Sequence, residues 1–288
     1  MKNRITILPV CLTIIFLVSC QKDIATTQVH EVVSTSEATV LSKDFHTTLP
    51  SGLCIDAYEL EGPPSTEPLV FVPVSGYSQE QVLENHAEER KLQFPDNTFL
   101  DGTMFGMKTG FNGRELIARG EYIASTESDP ELPASVAIEV ILDDEVVYSA
   151  DAGNASPLTP LQGLWSYNQN WVLEYAYVTM TYNETENTEI SSATGYLVKN
   201  GVLLNEQYFF DEVFGFQFMK GKPFYFFKEN EQIGISYDEQ VTMLGFEEIP
   251  HYGCCSAGIL NPNRAQNMVS FFAQKDHTWY YVEIGVYE

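Results

Sequence analysis

The residues best equipped for chemistry fall in one stretch, Gly245 to Asn267, which reads Gly-Phe-Glu-Glu-Ile-Pro-His-Tyr-Gly-Cys-Cys-Ser-Ala-Gly-Ile-Leu-Asn-Pro-Asn-Arg-Ala-Gln-Asn. It gathers His251, Tyr252, Asn261, Asn263 and Arg264 around the adjacent pair Cys254-Cys255. Long loops on a regular scaffold carry function more often than the elements they join. His251, Tyr252, Asn261 and Arg264 are therefore the ligand-binding candidates. A thiol nucleophile needs a base within reach, and His251 lies three residues before Cys254. Catalytic partners ordinarily meet through the fold rather than through sequence neighbourhood, so no catalytic residue is assigned. Cys-x-x-Cys and His-Glu-x-x-His spacings are absent, which leaves no basis for a metal site. Neither a Gly-x-Ser-x-Gly elbow nor a glycine-rich phosphate loop occurs, and no cofactor is expected. With 40 acidic residues, any chosen carboxylate pair is uninformative.

The aromatic residues offer a second chemistry. Trp165 and Trp279, with Tyr167, Trp171 and Tyr280 nearby in sequence, have faces suited to stacking on a sugar; the competing role is core and cross-strand packing. Trp165 and Trp279 join the ligand-binding candidates on this ground.

Three cysteines, Cys54, Cys254 and Cys255, form the disulfide question. Neighbouring Cα atoms lie about 3.8 Å apart across a trans peptide and about 2.9 Å across a cis one, below the usual disulfide range that begins near about 4.4 Å. A Cys254–Cys255 bond would be a strained ring that stiffens the loop. The alternative staples Cys54 to one of the two, and a third arrangement leaves all three reduced.

These residues need a scaffold, and the spacing of aromatics describes one. An apolar strand, a polar turn and a strand opening on a large aromatic occur at Leu164–Glu174, Phe216–Phe227 and Val269–Glu283. The leading aromatics Trp171, Phe224 and Trp279 are 53 and 55 residues apart. Each unit is preceded by another hairpin signal, at Asp143-Asp144, Asn200-Gly201 and Asp238-Glu239. Two hairpins per period make four strands, as in a propeller blade. Phe224–Phe227 and Trp279–Val282 are apolar at every position, as expected of strands with a sheet packed on either face. The chain is read as all-β, built from antiparallel hairpins in β-propeller-like repeats, with a β-sandwich as the alternative. The third unit runs 41 residues from Asp238 to Trp279, against 28 and 24 in the others, so the 245–267 loop is an insertion of about fifteen residues on this scaffold. One short helix is expected in the N-terminal half, at 78–92, with Ser78 as N-cap and Val82, Leu83, His86 and Glu89 at helical spacing. Residues 46–135 form a mixed β region containing that helix, and 136–288 the hairpin-repeat domain. Residues 20–45, rich in Ser, Thr, Val and Glu, read as a tether.

The first twenty residues carry a resemblance. Lys2 and Arg4 precede an apolar run, Ile5–Val18, closed by Leu17-Val18-Ser19-Cys20. Fourteen helical residues at about 1.5 Å each cannot cross a hydrocarbon core of about 30 Å. The segment resembles the signal and lipobox of a bacterial lipoprotein precursor, with residues 1–19 the signal peptide. The resemblance implies acylation of Cys20 and a membrane partner reached through its acyl chains. It further implies a place in the bacterial cell envelope outside the cytoplasm. Gln21 after the cysteine leans towards the outer membrane.

Loss of residues 1–19 removes Lys2 and Arg4 and no acid, deepening the net charge from −25 to −27. Nucleic acid is thereby disfavoured as a partner, since binding it rests on Lys and Arg neutralising phosphates. A composition 44% hydrophobic and 13% aromatic suits a folded chain with a sizeable core. The leading expectation is a lipid-anchored, non-enzymatic β-rich protein that binds a carbohydrate, a protein or another envelope ligand. A secreted hydrolase of glycans or peptides, with its site in the 245–267 loop, and a purely structural envelope lipoprotein are the alternatives.

Overall fold

The computed structural model describes residues 30–33, 38–49, 51–60, 62–64, 98–101, 104–123, 134–156, 158–183, 188–252 and 261–286. They form an all-β fold of antiparallel sheets. The strands are β1 (His30–Val33), β2 (Ala38–Thr48), β3 (Cys54–Glu59), β4 (Thr98–Asp101), β5 (Met104–Phe111), β6 (Arg114–Ile123), β7 (Ser135–Leu142) and β8 (Glu145–Asn154). They continue as β9 (Leu161–Tyr167), β10 (Asn170–Asn183), β11 (Thr188–Lys199) and β12 (Val202–Leu203), followed by the short helix α1 (Leu204–Tyr208). The chain closes with β13 (Glu212–Met219), β14 (Lys222–Glu229), β15 (Gln232–Tyr237), β16 (Gln240–Phe246), β17 (Asn263–Arg264), β18 (Met268–Lys275) and β19 (Thr278–Gly285).

Tight turns make these hairpins. Both central residues have positive φ at Asn112-Gly113, Asp143-Asp144, Asn168-Gln169, Asn200-Gly201, Lys220-Gly221, Asp238-Glu239 and Asp276-His277. That conformation matches the right-handed twist of paired strands. Asn230-Glu231 forms an eighth such turn without glycine, between β14 and β15.

The hairpins group into three sheets, ordered β1-β2-β3-β19-β18-β17, β12-β11-β10-β8-β7-β6-β5-β4 with β9 on β10, and β13-β14-β15-β16. Trp171, Phe224 and Trp279 are alike in strand order. Each lies on the second strand of a four-strand antiparallel run: β9–β12, β13–β16, and β18-β19-β3-β2. The expected grouping is shifted by one hairpin, because the aromatic hairpin opens each run instead of closing it. The cause is the Asn230-Glu231 turn, not among those expected, which continues β14 directly into β15.

Strands from the two ends of the chain complete the six-stranded sheet. β3 pairs with β19, from Cys54↔Gly285 to Glu59↔Tyr280, and β2 adds outside β3. Sheet therefore begins inside the stretch read as a tether. Its Thr and Val content, read there as unstructured, favours strand once an edge is available. The division at 135/136 falls inside a continuous ladder, since β6 and β7 pair from Leu116↔Leu142 to Ile123↔Ser135. The expected helix at 78–92 lies outside the described residues; the one helix among them, α1, follows β12 in the C-terminal half.

The four-stranded sheet is a middle layer. Phe214, Phe224, Phe226, Ile233 and Ile235 on one face pack with Ile55, Val269, Phe271, Val282 and Ile284 of the six-stranded sheet. Phe216 and Phe227 on the other face pack with Val172 of β10 and Leu197 of β11. The nine-stranded sheet folds over itself, bringing Leu116, Ile138 and Val140 onto Trp171 and Leu173. Apolar residues at consecutive strand positions thus reflect layers stacked on both faces.

Phe214→Ala should cost about 3–5 kcal/mol, the usual penalty for deleting a buried aromatic ring. Phe209→Ala, at a site 85% exposed, should stay within about 0.5 kcal/mol. Urea denaturation midpoints check both, and a Phe214 variant as stable as wild type contradicts the layered core.

Candidate functional site

The 245–267 loop runs along the free edge of β18. Glu247 and Glu248 exchange backbone hydrogen bonds with Gln274. Asn261 follows: its Oδ1 accepts from the Phe272 N–H at 2.8 Å, and its Nδ2 donates to Phe272 O at 3.1 Å and Pro250 O at 2.6 Å. Asn263 and Arg264 then pair with Ser270 and Val269 as β17. An open sheet edge is a row of unsatisfied donors and acceptors, and here the loop satisfies it.

From this edge the loop sends His251 and Tyr252 into the interior, where two carboxylates wait. Glu174, on β10, is fully buried. Its Oε1 accepts from Gly215 N at 2.8 Å and Tyr252 Oη at 2.7 Å, and its Oε2 accepts from Phe216 N at 2.8 Å. The Arg264 guanidinium stands 3.9 Å from the same Oε2. Gly215 and Phe216 form a bulge in β13, with Gly215 at φ 68° and both residues opposing the single Tyr225 between Phe214↔Phe226 and Gln217↔Phe224. A bulge leaves amides outside the ladder, and glycine accepts its left-handed backbone. Glu174 satisfies both amides. Burial first, then the Glu174 charge and hydrogen bond, push the Tyr252 phenol well above 10.0, so it remains a donor.

Glu212 is the second carboxylate. Its Oε1 accepts from Gly195 N at 2.8 Å and lies 3.0 Å from His251 Nε2. His251 Nδ1 is 2.6 Å from the Ile249 carbonyl, which can only accept. Both ring nitrogens thus face acceptors, the pattern of an imidazolium donating at each end. Its ring stacks on Phe214 with centroids 3.6 Å apart and planes 4° from parallel. Burial alone would raise the Glu212 carboxyl, but the His251 hydrogen bond and charge, the Gly195 amide and Lys228 outweigh it, and the group sits below its ordinary 4.5. Asn205 of α1 completes this edge of β11, accepting from Leu197 N at 3.2 Å and donating to Gly195 O at 3.0 Å. Gly195 is required here, because a Cβ would collide with the Val213 carbonyl.

The structure brings His251, Tyr252, Asn261 and Arg264 together, all four held by structural contacts. With both ring nitrogens hydrogen-bonded and its face stacked on Phe214, His251 is held as part of the packing. Trp165 and Trp279 lie elsewhere. Trp165 packs half-buried against Phe216 at 4.8 Å, and Trp279 packs with Tyr58, Phe272 and Tyr281 on the outer face of the six-stranded sheet. On that outer face buried Asp56 and Glu283 sit directly opposite one another, and Tyr281 Oη donates to Glu283 at 2.9 Å. Cys54 is fully buried at the start of β3, whereas Cys20, Cys254 and Cys255 lie outside the described residues. Among the described residues no three His, Cys, Asp or Glu side chains are arranged to hold a metal.

Glu174, Glu212 and Asn205 escaped the sequence reading, which weighed loops above strands. A lone acid in Trp-Val-Leu-Glu-Tyr-Ala-Tyr-Val and a glycine inside Glu-Val-Phe-Gly-Phe-Gln-Phe were the available signals, the second marking a bulge.

An accessible cavity of about 570 Å³ lies between α1 and β11–β12 on one side and β14–β16 on the other, lined by Tyr167, Tyr208, Phe210, Tyr225 and Val241 among others. Its lining is open to solvent at apolar residues: Val202 is 50% exposed, Tyr208 48% and Val241 62%, while Phe209, 85% exposed, is not among the lining residues. Phe209 projects from the left-handed C-cap of α1 at φ 60°, ψ 35°. No family model matches the chain, and no curated protein is similar to it in sequence.

The lowered Glu212 carboxyl fixes a pH dependence. A carboxyl depressed on folding contributes stability above its unfolded value near 4.5, and that contribution is lost as pH falls through the lower folded value. Wild type should therefore exceed Glu212→Gln in stability at neutral pH, with the gap closing as pH falls below 4.5. Denaturation midpoints of both proteins across that range check this, and a gap unchanged in acid contradicts the ion pair.

Proposed function

We propose that this chain is a lipid-anchored binding protein of the bacterial envelope, held by acyl chains on Cys20 and presenting a ligand cleft between α1, β11–β12 and β14–β16. The observation that carries the reading is the open aromatic cleft with its exposed apolar rim. Water-exposed Val241, Val202 and Tyr208 line it, apolar surface of the kind that marks binding sites. The hydrolase reading loses support from the same geometry, since His251, Tyr252, Glu174 and Glu212 hold sheets together instead of facing solvent. In this reading Cys54 is stapled to Cys254 or Cys255, tying the loop to β3.

Two outcomes follow. Cys20→Ser lacks the sulfur that takes the acyl chain, so it should leave the membrane fraction; normal processing and membrane partitioning of that variant contradict the anchor. The neutral dye Nile red should fluoresce in the cleft of wild type, and Val241→Lys should abolish that signal with stability unchanged within about 0.5 kcal/mol. Equal dye fluorescence in wild type and Val241→Lys contradicts the cleft.

A further inference from the structure

The cleft has a chemistry more specific than apolarity. Three tyrosines, Tyr167, Tyr208 and Tyr225, contribute rings that also carry hydroxyls. Its two charged side chains neutralise each other, with Lys199 Nζ 3.1 Å from Glu239 Oε1. Asn200 is turned to the protein, accepting from Trp171 N at 2.9 Å and donating to Asn170 Oδ1 at 2.7 Å. Just outside, Lys222 is paired with Asp238 at 2.8 Å. No charge lining the cleft is left to recognise an ionic ligand, and desolvating one there would go uncompensated.

What remains is aromatic surface with the Tyr208 hydroxyl and the Gln207 amide, since the Tyr167 hydroxyl is bonded to Lys199 and that of Tyr225 to Ser236. Phe210 is fixed by stacking on Phe227, centroids 4.1 Å apart, and Tyr167 by an edge contact with Phe218 at 5.2 Å. Tyr208 leans on Phe210 at 5.6 Å while remaining half exposed. The Gln207 amide stands beside it on the rim. Rings held rigid at low entropic cost, with hydroxyl and amide groups at the margin, suit a neutral ligand that has apolar C–H faces and hydroxyl edges. A cavity of about 570 Å³ falls within the usual size of small-ligand sites.

Resting on the binding reading above, we infer that the cleft takes a neutral carbohydrate, a pyranose stacked against Tyr208 with its hydroxyls on the rim. Folded wild type, Tyr208→Ala and Phe209→Ala would be applied to an array of neutral and acidic oligosaccharides, with calorimetry on the hits and Nile red titrated in parallel. Neutral oligosaccharides should bind and acidic ones should not. Tyr208→Ala should weaken that binding at least tenfold, with Phe209→Ala changing it less than threefold. If no neutral oligosaccharide binds while Nile red still enters the cleft, the carbohydrate inference fails and the binding reading stands. If acidic oligosaccharides bind instead, the charge argument fails. Loss of both sugar and dye binding overturns the two together, and neutral sugar binding indifferent to Tyr208→Ala places the sugar elsewhere and overturns the inference.

Discussion

Three sheets converge on one buried carboxylate. Glu174 belongs to the nine-stranded sheet, the amides of Gly215 and Phe216 to the four-stranded sheet, and Arg264 to the six-stranded sheet, with Tyr252 from the loop between the last two. A carboxylate in the interior is costly unless donors surround it. Three short hydrogen bonds and a nearby guanidinium do so here. The arrangement is specific in direction as well as strength: the bulge in β13 aims its two free amides at one place, and only a strand carrying an acid at that register can meet them. Apolar faces such as Phe216 and Phe227 would tolerate sliding; the Glu174 contact fixes which residues face one another.

The same economy of polar groups explains the loop. Layered sheets have edges, and edges must be covered. Asn205 and Glu212 complete the edge of β11, while Asn261, Glu248 and β17 complete that of β18. Residue types that could bind a ligand or move a proton are here engaged as substitutes for missing strands. The surface that the layers leave uncovered lies elsewhere. β12 is two residues long, so the nine-stranded sheet stops short and the adjoining face of β14–β16 lies open beside α1. The cleft follows from that mismatch in sheet width.

Much of the scaffold was legible in the sequence. Turns built on Asn-Gly, Lys-Gly or paired acids impose positive φ, and runs such as Phe-Tyr-Phe-Phe admit only a strand buried on both faces. The grouping of hairpins into sheets was not, because the Asn230-Glu231 turn carries none of these signals and because β3 meets β19 across more than two hundred residues of chain. Pairing over that distance leaves no local trace. At the candidate site, proximity within the 245–267 loop gathered His251, Tyr252, Asn261 and Arg264. Their role depended on Glu174 and Glu212, strand residues whose partners are set by interlayer packing. The aromatic cleft was equally hidden, since Tyr167, Tyr208 and Tyr225 come from different strands and a helix.

Amide hydrogen exchange at Gly215 and Phe216 tests the central role of Glu174 most directly. These two amides sit on a bulge without ladder partners, so their protection depends on the carboxylate alone. If Glu174 binds the sheets together, both amides exchange only with global unfolding, as slowly as the ladder amides of β14. Exchange of either amide at the rate of an exposed turn, while β14 remains protected, would show that the carboxylate does not hold the bulge and that apolar packing alone sets the layers.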